Sequence, residues 1–202
     1  MSEARDRVVI NEVGLRDGLQ NQPRFDTTDD KLRLAEALRR AGIAHMEATS
    51  FVSPKAVPQM ADAAEMLPRL PGGADYSVLI PNMKGYERAL QAGARTVAAV
   101  LSCTDTMNRR NINMSLDETV AVTRDIVASA ARDGVAARVY LAVAFECPYE
   151  GPVSTETVMA LADKSAAAGP CEIIIADTIG ATNPIAVDRL FSALLHVYES
   201  ER

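Results

Sequence analysis

Two charged residues that could do chemistry, Arg16 and Asp17, lie side by side between Gly14 and Gly18, just after the apolar residues 8–10. A guanidinium stays charged and suits an enolate or carboxylate oxygen, whereas an aspartate carboxylate suits a hard divalent cation. Parallel α/β enzymes assemble active sites where strands end in loops. An isolated Arg-Asp-Gly sequence is also common as a salt-linked turn. The pair alone therefore predicts either a site or a turn.

A carboxylate on a neighbouring strand favours the site. Glu47 lies in the strand-like residues 44–49, where strict alternation would put His45, Glu47 and Thr49 on one face. If that face points inward, Glu47 is a buried carboxylate near Asp17. We interpret His45 as a hydrogen-bonded core residue rather than a ligand.

Two further candidates end later strands. Asp177 closes the apolar residues 173–176, and a carboxylate there is costly unless it is paired, so it is a site residue or a partner of Arg16. Cys147 could be a nucleophile, but no histidine follows close by, which favours a buried structural thiol.

The polar residues near position 110 leave two interpretations open. Arg109 and Arg110 could contact the phosphates of a nucleotide-bearing thioester. Asn113 could share that contact, or it could cap the helix predicted to begin near Ser115, and capping is the better supported of the two.

Short β-rich runs alternate with longer helical patterns along the chain. Glycines follow four of the helices, where a left-handed C-terminal cap favours glycine. The repetition predicts iterated βα units. Strands are predicted at 7–13, 44–49, 76–80, 96–101, 137–144 and 171–176, and helices at 28–41, 60–69, 84–92, 115–133, 154–168 and 183–199.

Six units fit either an open doubly wound sheet or a (β/α)₈ barrel that lacks two units. No Gly-x-Gly-x-x-Gly sequence follows the first strand, which argues against a dinucleotide-binding sheet. Polar residues instead end several strands, as on the carboxyl-terminal face of a barrel. We predict an α/β fold, an incomplete (β/α)₈ TIM barrel of about six βα units, forming a single catalytic-type domain over residues 1–202.

Composition narrows the partners and the compartment. The net charge is −6, and no basic cluster is larger than an arginine pair such as Arg109 with Arg110, so we expect no nucleic-acid partner. Three scattered cysteines show no metal or redox spacing and favour a reducing compartment. Residues 1–7 have no apolar stretch typical of a signal peptide, and no apolar run could span a bilayer. We expect a cytoplasmic protein without a membrane partner.

Five ordered motifs together resemble the metal-dependent lyase and Claisen-condensing family of TIM barrels, specifically the 3-hydroxy-3-methylglutaryl-CoA lyases. The resemblance runs from about residue 8 to residue 193. The motifs are residues 12–21 (EVGLRDGLQN), 50–55 with 57–60 (SFVSPK and VPQM), 111–113 (NIN), 147–151 (CPYEG) and 177–180 (DTIG).

The resemblance implies retro-Claisen cleavage of a 3-hydroxyacyl-CoA into acetyl-CoA and acetoacetate, helped by Mg²⁺ or Mn²⁺. It makes Asp17 a metal ligand and makes Arg16 the group that stabilises the thioester enolate. An acyl-CoA is the implied partner, and a homodimer is left open. The implied catalytic residues are Arg16, Glu47 and Asp177, and the implied substrate-binding residues are Arg16, Gln20, Ser50, Asn111 and Thr178.

The chain also departs from the family. The family supplies a His-x-His from a seventh strand and a cysteine and an asparagine from a later glycine-rich loop, none of which these 202 residues contain. Leu15 stands where the family more often has proline, and residues 102–107 form a divergent fourth loop. Besides the lyase, two alternatives therefore stay open. One is a sister lyase or aldolase for another 3-hydroxyacyl-CoA, and the other is an inactive fragment that serves as a binding module.

Overall fold

The computed structural model describes residues 8–198, and these divide into two compact units. The first unit holds the described residues up to 79 together with 87–95, and the second holds 80–86 and the residues from 96 onward. The strands are β1 Asn11–Glu12, β2 His45–Ser50, β3 Asp75–Ile80, β4 Thr96–Ser102, β5 Ala136–Ala142, β6 Glu146–Cys147, β7 Gly151–Pro152 and β8 Glu172–Ile175. The α-helices are α1 Thr28–Arg40, α2 Ala63–Met66, α3 Met83–Gln91, α4 Asp105–Ile112, α5 Leu116–Asp133, α6 Thr155–Ala166 and α7 Pro184–Leu195.

In the first unit β1, β2 and β3 pair in parallel, with Met46 opposite Tyr76. One face of this sheet is apolar. Met46 is fully buried there in a cluster with Leu15, Ala35 and Met66, which brings together β2, α1 and α2. The opposite face carries Glu47, and this separation of apolar and polar residues leaves one side of the sheet for chemistry.

In the second unit β4, β5 and β8 pair in parallel, and β6 pairs with β7 as a short antiparallel ladder. The helices that follow these strands bury apolar side chains, among them Ile126 and Val127 of α5 and Val158 of α6. Helix–strand alternation with parallel pairing is the βα pattern that the sequence predicts. None of the helices within residues 8–198 is long and apolar enough to cross a membrane.

Local sequence chemistry fixes several helix ends. The Ser115 hydroxyl accepts from the Glu118 amide while the Glu118 carboxylate accepts from the Ser115 amide, which is a complete capping box at the start of α5. Gly134 ends the same helix at a φ of 69°, a conformation that most side chains disfavour. The predicted helix starts near Ser115 and Ser154 are confirmed.

Other boundaries differ from the prediction. The polar fourth loop contains the short helix α4, and Asn113 ends it in the left-handed conformation rather than beginning α5. The helix predicted at 60–69 is broken into a 3₁₀ turn, α2 and a second 3₁₀ turn. Pro68 accounts for the end of α2, because it lacks the amide that a continuing helix needs. The first strand shortens to β1. Arg7 and Glu199, the outer ends of two predicted elements, lie outside the described residues.

Candidate active site

The Arg16–Asp17 pair lies in a tight helical turn, Gly14–Gly18, that follows β1. The amides of Arg16, Asp17 and Gly18 all donate to the Val13 carbonyl, at 3.1, 2.7 and 3.3 Å. Leu15, from the same turn, is buried in the apolar cluster of the first unit. One apolar anchor and one shared carbonyl therefore hold both charged side chains at the end of the strand.

Arg16 joins two carboxylates that differ sharply in exposure. Its Nε donates to Oε1 of Glu47, whose side chain is 0% exposed, and its Nη1 donates over 2.6 Å to Oδ1 of Asp17, whose side chain is 51% exposed. Arg16 itself is 13% exposed. A buried carboxylate is tolerated when a hydrogen-bonded cation compensates the lost hydration. The arrangement therefore fixes the guanidinium between an internal anion and one that solvent and ligands can reach.

A bulge in β2 changes which side chains accompany Glu47. Glu47 is opposite Ser77 on β3, but Thr49 is opposite Val78 and Ser50 is opposite Leu79, so the register shifts between Glu47 and Thr49. Opposed residues of neighbouring strands point to the same face, and one extra residue reverses the alternation. Ser50 therefore joins the face of Glu47.

The strict alternation expected for β2 is thus wrong for Thr49. This side chain turns to the other face and donates to the Met60 sulfur at 3.6 Å. His45 keeps its predicted face but lies at the start of β2, where it is 34% exposed and its Nδ1 is 3.3 Å from an Asp75 oxygen. It is a partner of a surface carboxylate rather than a buried core residue.

Four buried polar atoms of the first unit have no hydrogen-bond partner among residues 8–198: Asn11 Oδ1, Gln20 Oε1, Ser50 Oγ and Ser77 Oγ. Buried polar atoms normally have partners, so these atoms are available to a ligand or to water. Gln20 and Ser50 are predicted from sequence. Asn11 and Ser77 are not, although the register places Asn11 opposite His45 and Ser77 opposite Glu47. Their only sequence signal is a polar residue inside an apolar strand.

In the second unit Asp177 and Thr178 follow β8, and both side chains bind backbone amides. The Asp177 carboxylate accepts from the amides of Ala181 and Thr182, each at 3.1 Å. Thr178 Oγ1 accepts from the Val143 amide at 2.8 Å. These contacts shape the loops after β8 and β5, and each carboxylate oxygen of Asp177 keeps a second lone pair for another donor.

Val143 occupies an unusual backbone conformation. It is fully buried, and its φ of 52° lies in the left-handed region that a β-branched side chain rarely adopts. Such conformations cost on the order of 1–3 kcal/mol and persist only where surrounding contacts hold them. The Thr178 hydroxyl is one of these contacts. Thr178 therefore fixes the strained end of β5.

Three of the polar residues near position 110, namely Arg109, Arg110 and Asn111, lie at the surface of the second unit. Asn111 is exposed on α4, where Arg109 pairs with Asp105 at 2.6 Å. The Arg110 guanidinium lies 4.4 Å from the centroid of the Tyr149 ring. Contact between these residues and a thioester nucleotide stays a prediction.

Cys147 has the surroundings of a structural thiol. It is buried, and its sulfur accepts from the Thr104 hydroxyl at 3.1 Å. Burial raises the pKa of the neighbouring Cys103 thiol to about 12, so that group is protonated near neutral pH. Cys103 is therefore a poor nucleophile, and the burial of Cys147 agrees with the structural role predicted for it.

Of the three carboxylates predicted for the site, Asp17 is exposed, Glu47 is buried and Asp177 is half-buried. Asp17 is a hard oxygen ligand at a strand end, which suits Mg²⁺ or Mn²⁺. Within residues 8–198, however, no group of three or more His, Cys, Asp and Glu side chains could hold a metal ion. Of the residues predicted from sequence, the first unit brings together Arg16, Asp17 and Glu47.

The family of the chain follows from its match to known proteins. The family model described as HMGL-like matches residues 7–201. The chain belongs to the HMGL-like family. It is 38% identical to the hydroxymethylglutaryl-CoA lyase YngG of Bacillus subtilis and 42% identical to the mitochondrial hydroxymethylglutaryl-CoA lyase of Bos taurus, in both cases over 94% of this chain.

Solved structures of HMG-CoA lyases share the fold of this HMGL-like chain. The Bacillus subtilis enzyme matches with a TM-score of 0.92 at 37% identity, over 96% of this chain and 65% of its own. The enzyme from Acinetobacter baumannii, solved with coenzyme A and 3-methylmalate, matches with a TM-score of 0.93 at 35% identity, over 98% of this chain and 66% of its own. These matches confirm the predicted α/β class and the incomplete TIM barrel.

The HMGL-like chain is shorter than these relatives. It spans 64% of the Bacillus subtilis protein and 59% of the Bos taurus protein. Its Leu15, where proline is expected from the resemblance, has a physical account in the structure, because this side chain is fully buried in the apolar cluster with Met46. Leu15 therefore anchors the turn that carries Arg16.

The Thr178–Val143 contact generates a stability prediction. Thr178→Val keeps the side-chain shape but leaves the Val143 amide without its acceptor, so the free energy of unfolding should fall by about 1–3 kcal/mol. Thr178→Ser is the matched control and should retain most of the stability, because it keeps the hydroxyl. Urea denaturation measures both. Equal stability of the valine and serine variants would contradict the role of this hydrogen bond.

Proposed function

We propose that the complete protein carrying this chain cleaves 3-hydroxy-3-methylglutaryl-CoA into acetyl-CoA and acetoacetate. The observation that carries the proposal is the Arg16 guanidinium fixed between buried Glu47 and exposed Asp17. Relatives at 38–42% identity that bear this enzyme's name support the substrate. The acyl-CoA partner is further supported by the relative that was solved with coenzyme A.

Arg16 is the residue we assign to the developing charge. Once the tertiary hydroxyl has lost its proton, its oxygen becomes the ketone of acetoacetate as the carbon–carbon bond breaks, and the bonding electrons leave as an enolate on the thioester, which takes up a proton to give acetyl-CoA. A positioned guanidinium stabilises the enolate oxygen more than it stabilises the uncharged substrate. Its two carboxylate partners fix its orientation before the substrate binds, so little reorganisation is needed during the reaction. Glu47 acts in this scheme by holding Arg16 and by placing a negative charge on the face of the sheet opposite Met46.

The remaining predicted residues are assigned to lining the site and to substrate binding. Gln20 and Ser50 each bring a buried polar atom that has no partner within residues 8–198. Asp177 is proposed to line the site with its remaining lone pairs, and Thr178 and Asn111 are proposed substrate contacts. Each of these roles rests on the motifs that the chain shares with the family.

A divalent metal completes the proposal. Asp17 would contribute one carboxylate ligand, and Mg²⁺ or Mn²⁺ bound there would lower the pKa of the substrate's tertiary hydroxyl. The half-exposed carboxylate of Asp17 fits this role, since its Oδ1 accepts from Arg16 and its Oδ2 is left for the metal. We also propose a cytoplasmic location, in keeping with three free cysteines. A homodimer is compatible with the proposal.

A sister substrate is the second candidate. The fourth loop, which is divergent in sequence, forms α4, and Asn108 of this helix is fully buried with its side-chain nitrogen bonded to the Ser102 and Thr104 carbonyls, each at 2.8 Å. A loop built differently can change which acyl group fits. Another 3-hydroxyacyl-CoA is therefore the alternative substrate in the test below.

The proposed activity predicts metal-dependent release of acetoacetate. Purified complete protein with 3-hydroxy-3-methylglutaryl-CoA and added Mg²⁺ or Mn²⁺ should form acetoacetate, and an excess of chelator should stop the reaction. A coupled assay for acetoacetate measures this. Turnover unchanged in excess chelator would contradict the proposed metal dependence. Turnover of another 3-hydroxyacyl-CoA, without turnover of 3-hydroxy-3-methylglutaryl-CoA, would favour the sister substrate.

The role of Arg16 predicts a loss of rate rather than of binding. Arg16→Lys keeps a positive charge near Glu47 but loses the planar guanidinium, so kcat should fall about 10²-fold or more while KM changes less. Steady-state kinetics measure the two constants. Arg24→Lys, an exposed arginine in the same connection, is the control and should leave kcat unchanged. A kcat retained in Arg16→Lys with only KM raised would show that the assigned role is wrong.

The role of Asp17 predicts a loss of metal affinity without unfolding. In the complete protein, Asp17→Ala removes a half-exposed carboxylate that does not belong to the apolar core, so calorimetric titration with Mn²⁺ should show an affinity at least about tenfold weaker. Asp26→Ala, another exposed carboxylate in the connection to α1, should bind Mn²⁺ like the wild type. Wild-type affinity in Asp17→Ala would place the metal elsewhere.

A further inference from the structure

A buried lysine outside the proposed reaction bridges two elements of the first unit. Lys31 lies on α1 with only 3% of its side chain exposed. Its ammonium is 2.6 Å from Oδ1 of Asp62 and 2.6 Å from the carbonyl oxygen of Gln59. The second oxygen of Asp62 accepts from the Thr28 hydroxyl at 2.9 Å. A buried ammonium is costly unless it is paired and hydrogen-bonded, so the contacts of this group are specific.

Residues 51–60, which follow β2, are here named the 51–60 loop. Lys31 binds the backbone near the end of this loop, at the Gln59 carbonyl. A second cation holds the start of the same loop. Arg88 of α3 donates from Nη1 to the Val52 carbonyl at 3.0 Å, and its guanidinium lies 5.6 Å from the centroid of the buried Phe51 ring. Between these two fixed ends, residues 53–56 are exposed. Both ends of the loop are therefore held through carbonyls by cations from flanking helices.

The fixed end of the 51–60 loop also contacts the connection that follows Arg16 and Asp17. The Gln59 side-chain nitrogen donates to the Gln22 carbonyl at 3.0 Å. The next residue, Met60, is buried and its sulfur accepts from Thr49 of β2. Lys31 thus stabilises the point where the loops after β1 and β2 meet.

We propose that Lys31, paired with Asp62, is a positioning residue that holds the 51–60 loop in place for acyl-CoA binding. The inference rests on the proposed function, since it assigns the loop to that substrate. Lys31 acts through Gln59 and does not itself touch the reacting atoms. Arg16 and Glu47 make their own contact with each other, so loosening the loop should weaken substrate binding more than it slows the chemical step.

Kinetics of Lys31→Met in the complete protein test the proposal. Methionine keeps the length and apolar stem of the side chain but loses both contacts of the ammonium. We expect kcat/KM to fall at least about tenfold through a higher KM, with kcat within about threefold of the wild type. A lower apparent kcat at unchanged KM is the result that partial unfolding would give, and it would overturn the proposal.

Asp62→Asn provides a second, milder variant in case Lys31→Met does not fold. Asparagine keeps the shape and the acceptor for Thr28 but loses the charge that pairs with Lys31, so KM should rise by a smaller factor. The control is Arg69→Met, which removes a surface cation paired with Asp29 of α1 and with Glu65 of α2, and which should leave KM unchanged. A KM unchanged in Asp62→Asn and in Lys31→Met would overturn the proposal.

Hydrogen exchange separates this inference from the proposed function. The amides of Met60 and Ala61 donate to the carbonyls of Val57 and Pro58, each at 3.1 Å. In Lys31→Met these amides should exchange at least about tenfold faster, while the amides of β2 keep their wild-type rates. A wild-type protein without lyase activity would defeat the proposed function alone. Unchanged exchange at Met60 and Ala61 would defeat the positioning role alone.

Discussion

The first unit depends on one interaction, the ion pair between Arg16 and Glu47. A carboxylate without solvent exposure is unfavourable unless a hydrogen-bonded cation replaces the lost water, and Arg16 does so from a turn at the end of the neighbouring strand. The position of that turn is fixed by Leu15 in the apolar cluster and by the Val13 carbonyl. Core packing on one face of the sheet therefore determines the placement of charge on the other.

The bulge in β2 gives this arrangement its second component. By reversing the alternation after Glu47, the bulge places Ser50 on the face that carries Glu47. It also turns Thr49 to the other face, where its hydroxyl donates to the sulfur of Met60 in the 51–60 loop. One extra residue thus has two effects. It adds a polar side chain to the face of Glu47, and it creates a contact between β2 and the 51–60 loop. The loops after β1 and β2 are consequently parts of one hydrogen-bonded assembly within the first unit.

Sequence alone predicts the features that depend on local chemistry. The order of strands and helices follows from apolar periodicity, and Ser115 starts α5 because its capping box uses neighbouring residues only. The sequence also predicts Glu47 as a buried carboxylate near Asp17, but not its ion pair with Arg16, because the residues leave Asp177 open as the partner of that arginine. The bulge is not, since it is defined by the register with β3, and α4 is missed because its sequence is almost entirely polar. The site roles of all the predicted residues stay predictions: Arg16, Asp17, Gln20, Glu47, Ser50, Asn111, Asp177 and Thr178.

The strained backbone at Val143 limits which amino-acid substitutions this part of the chain can accept. Glycine or asparagine at this position would relax the backbone but would remove apolar contacts from a fully buried site, so the two effects on stability oppose each other. The Thr178 hydroxyl accepts from the backbone amide of residue 143, so a replacement at position 178 without a hydroxyl would remove a contact that holds this strained backbone. Substitutions at positions 143 and 178 are therefore expected to be epistatic, with the cost of each depending on the residue present at the other.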